Sequence, residues 1–181
     1  MSTNPFRRIL VPIDFTEDMD AAVHSGFEVE TEGGTVAVAP ASAKALELAA
    51  GVVDEGGELR LIHVTPTYEA ARVYGGSSMG VLGGKDIEEI HAAAKAASLK
   101  VLTALCEHFA PGIRCSFTVV PGIALTVILE QAKSFDAQLI IVAASGRSRV
   151  ARFFLGSTAD RVIRQAPCPV MVIPPGGGSE S

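Results

Sequence analysis

Tryptophan is absent from this chain, and aromatic residues make up only 6% of it. That scarcity disfavours an all-β sandwich built around large rings. Leu, Ile, Val and Ala dominate a hydrophobic share of 48%. An aliphatic, glycine-rich, aromatic-poor chain favours helices layered on parallel strands. Long apolar runs are also missing. None approaches the roughly 18 residues of a membrane helix, so no membrane partner is expected. The opening residues, MSTNPFRRILVPID, lack a long apolar h-region and a small-residue cleavage site, and no secretory signal is expected. Excess positive charge is missing as well: the net charge is −5, which predicts no nucleic-acid partner. Cysteine is sparse. Cys106, Cys115 and Cys168 form an odd, dispersed set that argues against a disulfide framework and fits a reducing cytoplasm, the expected location. His24, His63, His91 and His108 show no metal-ligand spacing with them. Cys106 and His108 fall on different faces of one predicted helix, so no metal site is expected.

The 181 residues suit one domain with one core, read as 1–175 with a disordered tail at 176–181. Residues 9–13 form a short apolar run ending at Asp14 and read as a central strand, which Pro12 is expected to end or bulge. Residues 41–54 read as a helix capped by Ser42, with Ala45, Leu46, Ala49, Val52 and Val53 on one face. Residues 58–64 are a second strand, and 66–85 a long glycine-rich loop. Residues 86–109 form the longest helix, with Ile87, Ile90, Ala94, Ala97, Val101 and Leu105 at helical spacing. A third strand (113–120), a helix (124–134), a fourth strand (139–143), a helix (157–165) and a last strand (169–173) follow. Strand and helix alternate, which predicts parallel strands joined by right-handed crossovers. One segment stands apart: in 15–41, FEVE and TVAV flank TEGG. Extended flanks around a Gly-Gly turn predict a β-hairpin, read as an insertion.

In open parallel sheets, ligands sit beyond the carboxyl ends of the strands. Asp14, Val64 and the stretch AASGRSRVARFFLGST, from Ala143 to Thr158, lie at such ends. Gly146 and Gly156 permit close backbone approach. Ser157 and Thr158 open a helix, where free N–H groups and the positive dipole end suit an anion. Arg147, Arg149, Arg152, Arg161 and Arg164 concentrate positive charge there. A structural alternative stands beside this reading, since Ser157 and Asp160 match a capping box that needs no ligand.

The residues resemble the universal stress protein family. That family's loop reads Gly, two residues, Gly, nine residues, Gly, then Ser or Thr. The match places its second glycine on Gly146, its third on Gly156 and the hydroxyl on Ser157, while its first falls on Ala143. RRILVPIDFTE, LRLIHV, GIALTVI and GRSRVARFFLGSTADRVIRQAPCPVMVIP are similar to other family segments, with Ala124 where the family has proline. The resemblance spans Arg7 to about Pro174 apart from 15–41. It implies an open five-stranded parallel α/β sheet with helices on both faces, Rossmann-like and adenine nucleotide alpha hydrolase-like. It also implies ATP, with Mg2+, or AMP or ADP as ligand, and a homodimer through the last strand, Pro169 to Ile173. By position, Asp14 would meet the ribose or adenine side, and Val64 would offer its backbone to the adenine edge. Pro12 and Ile13 would supply apolar wall. Ala143 and Gly146 would pass the ribose and phosphates. Gly156, Ser157 and Thr158 would hold the phosphates. Arg147 joins this set on charge alone. Ala143 has two readings: if the family's glycine serves a positive φ, alanine costs about 1 kcal/mol; if it serves ligand approach, the methyl group obstructs.

His63 is expected only to finish its strand. No Ser-His-Asp or paired-carboxylate set stands near the loop, so slow ATP hydrolysis at most is expected. The leading expectation is a nucleotide-responsive stress-response module. The alternative is a protein-interaction module of the same fold that docks partners on the 15–41 insertion.

Overall fold

The computed structural model describes residues 6–16, 27–32, 34–65, 84–144 and 156–174. The glycine-rich stretch 66–83, the loop 145–155 and the tail from 175 lie outside these residues. The elements run β1 (Arg8–Pro12), β2 (Phe15–Thr16), β3 (Glu28–Thr31), β4 (Gly34–Val38), α1 (Pro40–Val52), β5 (Glu58–Thr65), α2 (Gly84–Phe109), β6 (Arg114–Pro121), α3 (Ala124–Ser134), β7 (Leu139–Ala143), α4 (Ser157–Gln165) and β8 (Val170–Ile173).

The main sheet has the order β6-β5-β1-β7-β8, and every pairing in it is parallel. Helices cover both faces, as the apolar strands require. Ile9 and Val11 point to one side, where they pack with Leu46 of α1 and Leu102 and Leu105 of α2. Leu10 points to the other, with Ile128 of α3 and Val162 of α4. This is the period-two alternation of a strand buried on both faces. No described helix is long and apolar enough to cross a membrane.

Pro12 closes β1 without harm to the ladder. Ile13 N–H donates to the Ile62 carbonyl of β5 at 2.7 Å. Successive residues of a strand turn their peptide groups to opposite sides, so the missing N–H of Pro12 falls on the β7 side. There β1 pairs only through Ile9 and Leu10, so nothing is lost.

The predicted hairpin forms a sheet of its own. β3 and β4 pair antiparallel, β2 adds to β4, and the order is β2-β4-β3. Phe27, just before β3, packs against His108 and Phe109 at the end of α2.

Three expectations change. Ser42 does not cap α1, whose N-cap is Ala39 with no side-chain bond. Ser42 lies inside the helix, fully buried, and its Oγ accepts from the Asp14 amide at 3.1 Å. Ala94 of α2 is exposed rather than on a core face; the buried residues of α2 among those described begin at Ser98, with Val101 and Leu102 after it, and the side chains of Ile87 and Ile90 lie outside the described residues. Cys106 and Cys115 form a disulfide, where dispersed free thiols were expected. The turn at Pro111-Gly112 folds β6 back beside the last turn of α2 and brings the two Cα atoms to 6.7 Å, within bonding range. Cys168 stays a free thiol, and burial pushes its pKa up.

Candidate functional site

The strand order reverses at β1, where the chain crosses from the β5–β6 side to the β7–β8 side. At that switch point β1 and β7 pair only through Ile9↔Leu139 and Leu10↔Ile140. Beyond these pairs β1 continues beside β5 to Pro12, while β7 continues beside β8 to Ala143. The two central strands therefore stop pairing towards their carboxyl ends, as a ligand crevice requires. Pro12, Ile13 and Asp14 stand at one lip and Ala143 at the other. Ile13 is buried and Asp14 exposed.

Asp14 is held by its backbone. Its amide donates to Ser42 Oγ at 3.1 Å, and its carbonyl accepts from Ala39 N–H at 3.2 Å. Both anchors come from the start of α1, so the exit of β1 is fixed where the carboxylate leaves the chain.

His63 has more to do than finish β5. Its Nδ1 lies 3.1 Å from the Ile13 carbonyl, and its ring stacks on Phe15 with centroids 3.8 Å apart and planes at 18°. Burial pulls the His63 pKa below its ordinary value, opposed by the bond to Ile13 and the charge of Asp14. The neutral ring then donates from Nδ1 to the carbonyl. That contact was invisible in the sequence because it joins residues 50 positions apart. It also affects Val64. Since Ile62 turns its peptide groups to β1, Val64 does so too, and a continued ladder would pair its N–H with the Ile13 carbonyl. His63 occupies that carbonyl instead. No described residue bonds the Val64 backbone on this side, so its edge faces the switch point open.

Ala143 lies in regular β7, paired with Ile173. Among described non-glycine residues only Asp136 has a positive φ. The strain reading of Ala143 therefore falls away, and its half-buried methyl group is left as a matter of ligand approach.

Gly156 is the N-cap of α4, at φ 78° and ψ 145°, with no side-chain cap. Ser157 and Thr158 are the first helical residues, so the capping box expected from Ser157 and Asp160 does not form. Asp160 turns to Arg164 instead, accepting from its Nε and an Nη at 3.1 Å each. This ion pair holds the Asp160 pKa below its usual range. α4 follows β7, so its uncapped amino end lies on the carboxyl-end side of the sheet. Gly146, Arg147, Arg149 and Arg152 lie outside the described residues. Pro12, Ile13, Asp14, Val64, Ala143, Gly156, Ser157 and Thr158 all belong to strand ends or the helix start on this one side of the sheet.

The described residues also line two grooves away from the switch point. One, of about 520 Å3, runs between β3 and α2. The other, of about 550 Å3, lies near the amino ends of the strands, beside Asp54, Gly57 and Arg114.

The family model described as "Universal stress protein family" matches residues 35–174. The chain is 33% identical to universal stress protein A homolog 2 of Coxiella burnetii over 74% of its own length and 84% of that relative. It is also 33% identical to universal stress protein MJ0531 of Methanocaldococcus jannaschii, over 42% of its own length; that match spans only 44% of the relative. Among solved structures, a universal stress protein family protein from Arabidopsis thaliana with AMP bound superposes with a TM-score of 0.56. That pair shares 15% identity and covers 96% of this chain and 95% of the other.

Proposed function

This chain belongs to the universal stress protein family, and from that premise we propose that it binds an adenine nucleotide at the switch point. The observation that carries the proposal is the parting of β1 and β7 beyond Leu10 and Ile140, beside the uncapped start of α4 at Gly156. The AMP bound by the structurally similar Arabidopsis protein supports adenine as the base. The open Val64 backbone edge suits the donor–acceptor edge of adenine, with Pro12 and Ile13 as apolar wall. Asp14 is placed for the ribose. The N–H groups at Ser157 and Thr158, at the positive end of α4, suit phosphate. Gly146 and Arg147, between β7 and α4 in the sequence and outside the described residues, are proposed for the phosphate side as well.

The ligand proposed is ATP, with AMP or ADP as its lower-phosphate forms; Mg2+ would enter with the triphosphate. Bound nucleotide would make the protein a nucleotide-responsive stress-response module. β8 is the outer strand of the main sheet, paired only with β7 among the described strands. We propose that a second copy pairs there across a two-fold axis.

The test is direct. Protein released by denaturation is searched by mass spectrometry for AMP, ADP and ATP, and nucleotide-free protein is titrated calorimetrically with ATP, AMP and adenosine. Retained nucleotide, or saturable heat with ATP or AMP, is the expected result. No retained nucleotide and no heat with any of the three would overturn the assignment.

A further inference from the structure

Among the described strands β3 is the outer one of the small sheet, and the edge it turns away from β4 has a definite polarity. Val38 N–H donates to the Phe27 carbonyl at 3.3 Å, and Val29 lies opposite Val36 and Thr31 opposite Gly34. In an antiparallel ladder, residues bonded to the partner strand alternate with residues whose peptide groups point away. Phe27, Val29 and Thr31 therefore serve β4. Glu28 and Glu30 turn their N–H and C=O groups outward, where no described residue bonds them. Beside β3 lies the groove of about 520 Å3, lined on its helix side by Ala104, Glu107 and His108 of α2.

The charges select an occupant. Glu28, Glu30 and Glu107 are exposed, and no lysine or arginine lines the groove. A second copy of this chain pairing edge to edge through β3 would bring glutamate against glutamate, which destabilises the pair. Guarding an edge with charge in this way excludes self-pairing. It leaves the edge open to a strand of opposite sign.

We propose that the outer edge of β3 is a docking site for an extended, lysine- or arginine-bearing segment of a partner protein, which adds to the small sheet as a further strand. Main-chain bonds to Glu28 and Glu30 supply the register, and the carboxylates of Glu28 and Glu30, which share one face of β3, supply the choice of basic side chains at alternate positions. The four residues of β3 offer about 13 Å of edge. The groove shares no lining residue with the proposed nucleotide site.

The probe is a fluorescein-labelled peptide of alternating lysine and valine, followed by fluorescence anisotropy against the full chain at low and raised salt. Three comparisons read the mechanism. Glu28→Gln removes one charge and should weaken binding several-fold. Glu28→Pro removes the same charge and also the outward N–H, leaving the bonds to β4 in place, since proline is tolerated on such an edge. It should bind about fivefold more weakly than Glu28→Gln. A probe with proline at its central valine should bind worse than the parent against unaltered protein, a comparison that needs no protein variant to fold. Equal affinity of Glu28→Pro and Glu28→Gln, equal binding of the proline-bearing probe, or no binding of the parent probe at low salt would each overturn the proposal.

Discussion

Replacing Gly156 by valine tests whether the start of α4 is the phosphate site. Gly156 sits at φ 78° and ψ 145°, a region that side chains with a Cβ rarely enter. Holding a non-glycine residue there costs on the order of 1–3 kcal/mol, and a β-branched residue belongs at the upper end. The chain has two responses. It can keep the geometry and bear the strain, or rotate the peptide between residues 156 and 157 and turn the first amides of α4 away. In the second case a phosphate loses two charge-assisted hydrogen bonds, each worth about 1.5–3 kcal/mol. At about 1.4 kcal/mol per decade, the expected loss in ATP affinity is at least about a hundredfold. Adenosine has no phosphate and should bind the variant nearly as it binds the parent. Stability should fall by about 1–3 kcal/mol, or a few degrees in Tm for a chain of this size, without loss of the fold. Calorimetric titration with ATP and adenosine, beside urea unfolding, reads all three quantities. Unchanged ATP affinity in a variant whose stability is also unchanged, so that the strain has been relieved by rotation and yet no phosphate contact is lost, would refute the site. Equal weakening of ATP and adenosine would refute the phosphate role.

The remaining predictions concern other parts of the same frame. Burial lowers the His63 pKa from 6.5, so the unfolded chain takes up this proton at a higher pH than the folded chain. The His63 contribution is therefore full above about 6.5 and lost as pH falls from there towards the lowered folded value. The slope is at most about 1.4 kcal/mol per pH unit, and His63→Gln should flatten that window in urea unfolding followed across pH. The Cys106–Cys115 bond closes a short loop, with a sequence separation of 9. Replacing both cysteines by serine should cost about 2–3 kcal/mol, and a dithiol reductant should destabilise the parent but leave the double variant unchanged. Ala143→Gly should raise ATP affinity several-fold if the methyl group crowds the ribose, while lowering stability by about 0.5–1 kcal/mol through the weaker strand; titration and unfolding on one preparation separate the two effects.

The parallel sheet was legible because its strands are buried on both faces and read as unbroken apolar runs, as LIIV within β7 does. The hairpin was legible from its extended flanks around glycines, although Gly34 opens β4 opposite Thr31 rather than lying in the turn. The position of Gly156 before the last helix was legible because Ser157 and Thr158 read as the opening of that helix. What could not be read is mostly polar and long-range. Ser42 carries the signature of a cap, yet its hydroxyl serves Asp14, 28 positions earlier. Asp160 fits a capping box, yet a bidentate arginine one turn on competes for it and wins. Cys106 and Cys115 looked dispersed because spacing along the chain does not show that a tight turn sets them side by side. His63 passed for a strand terminator because its partners, Ile13 and Phe15, lie on another strand end and in the insertion.

The insertion shows how continuity in sequence and continuity in space come apart. The family match begins at residue 35, after β1, although β1 lies at the centre of the sheet. Residues between Asp14 and α1 separate the first strand from the rest along the chain, which lowers the similarity a linear comparison can collect there. In space no gap opens. The Asp14 carbonyl accepts from Ala39 at 3.2 Å, and its amide donates to Ser42, so the chain leaves the sheet and returns to the same residue. Phe15, the first residue out, is clamped on His63, and Phe27, before the outer strand, is clamped on α2. Two aromatic contacts thus fix the small sheet, one to β5 of the large sheet and one to the end of α2. The base of the insertion belongs to the switch point through Asp14 and Phe15, while the entry to its outer strand belongs to the end of α2 through Phe27.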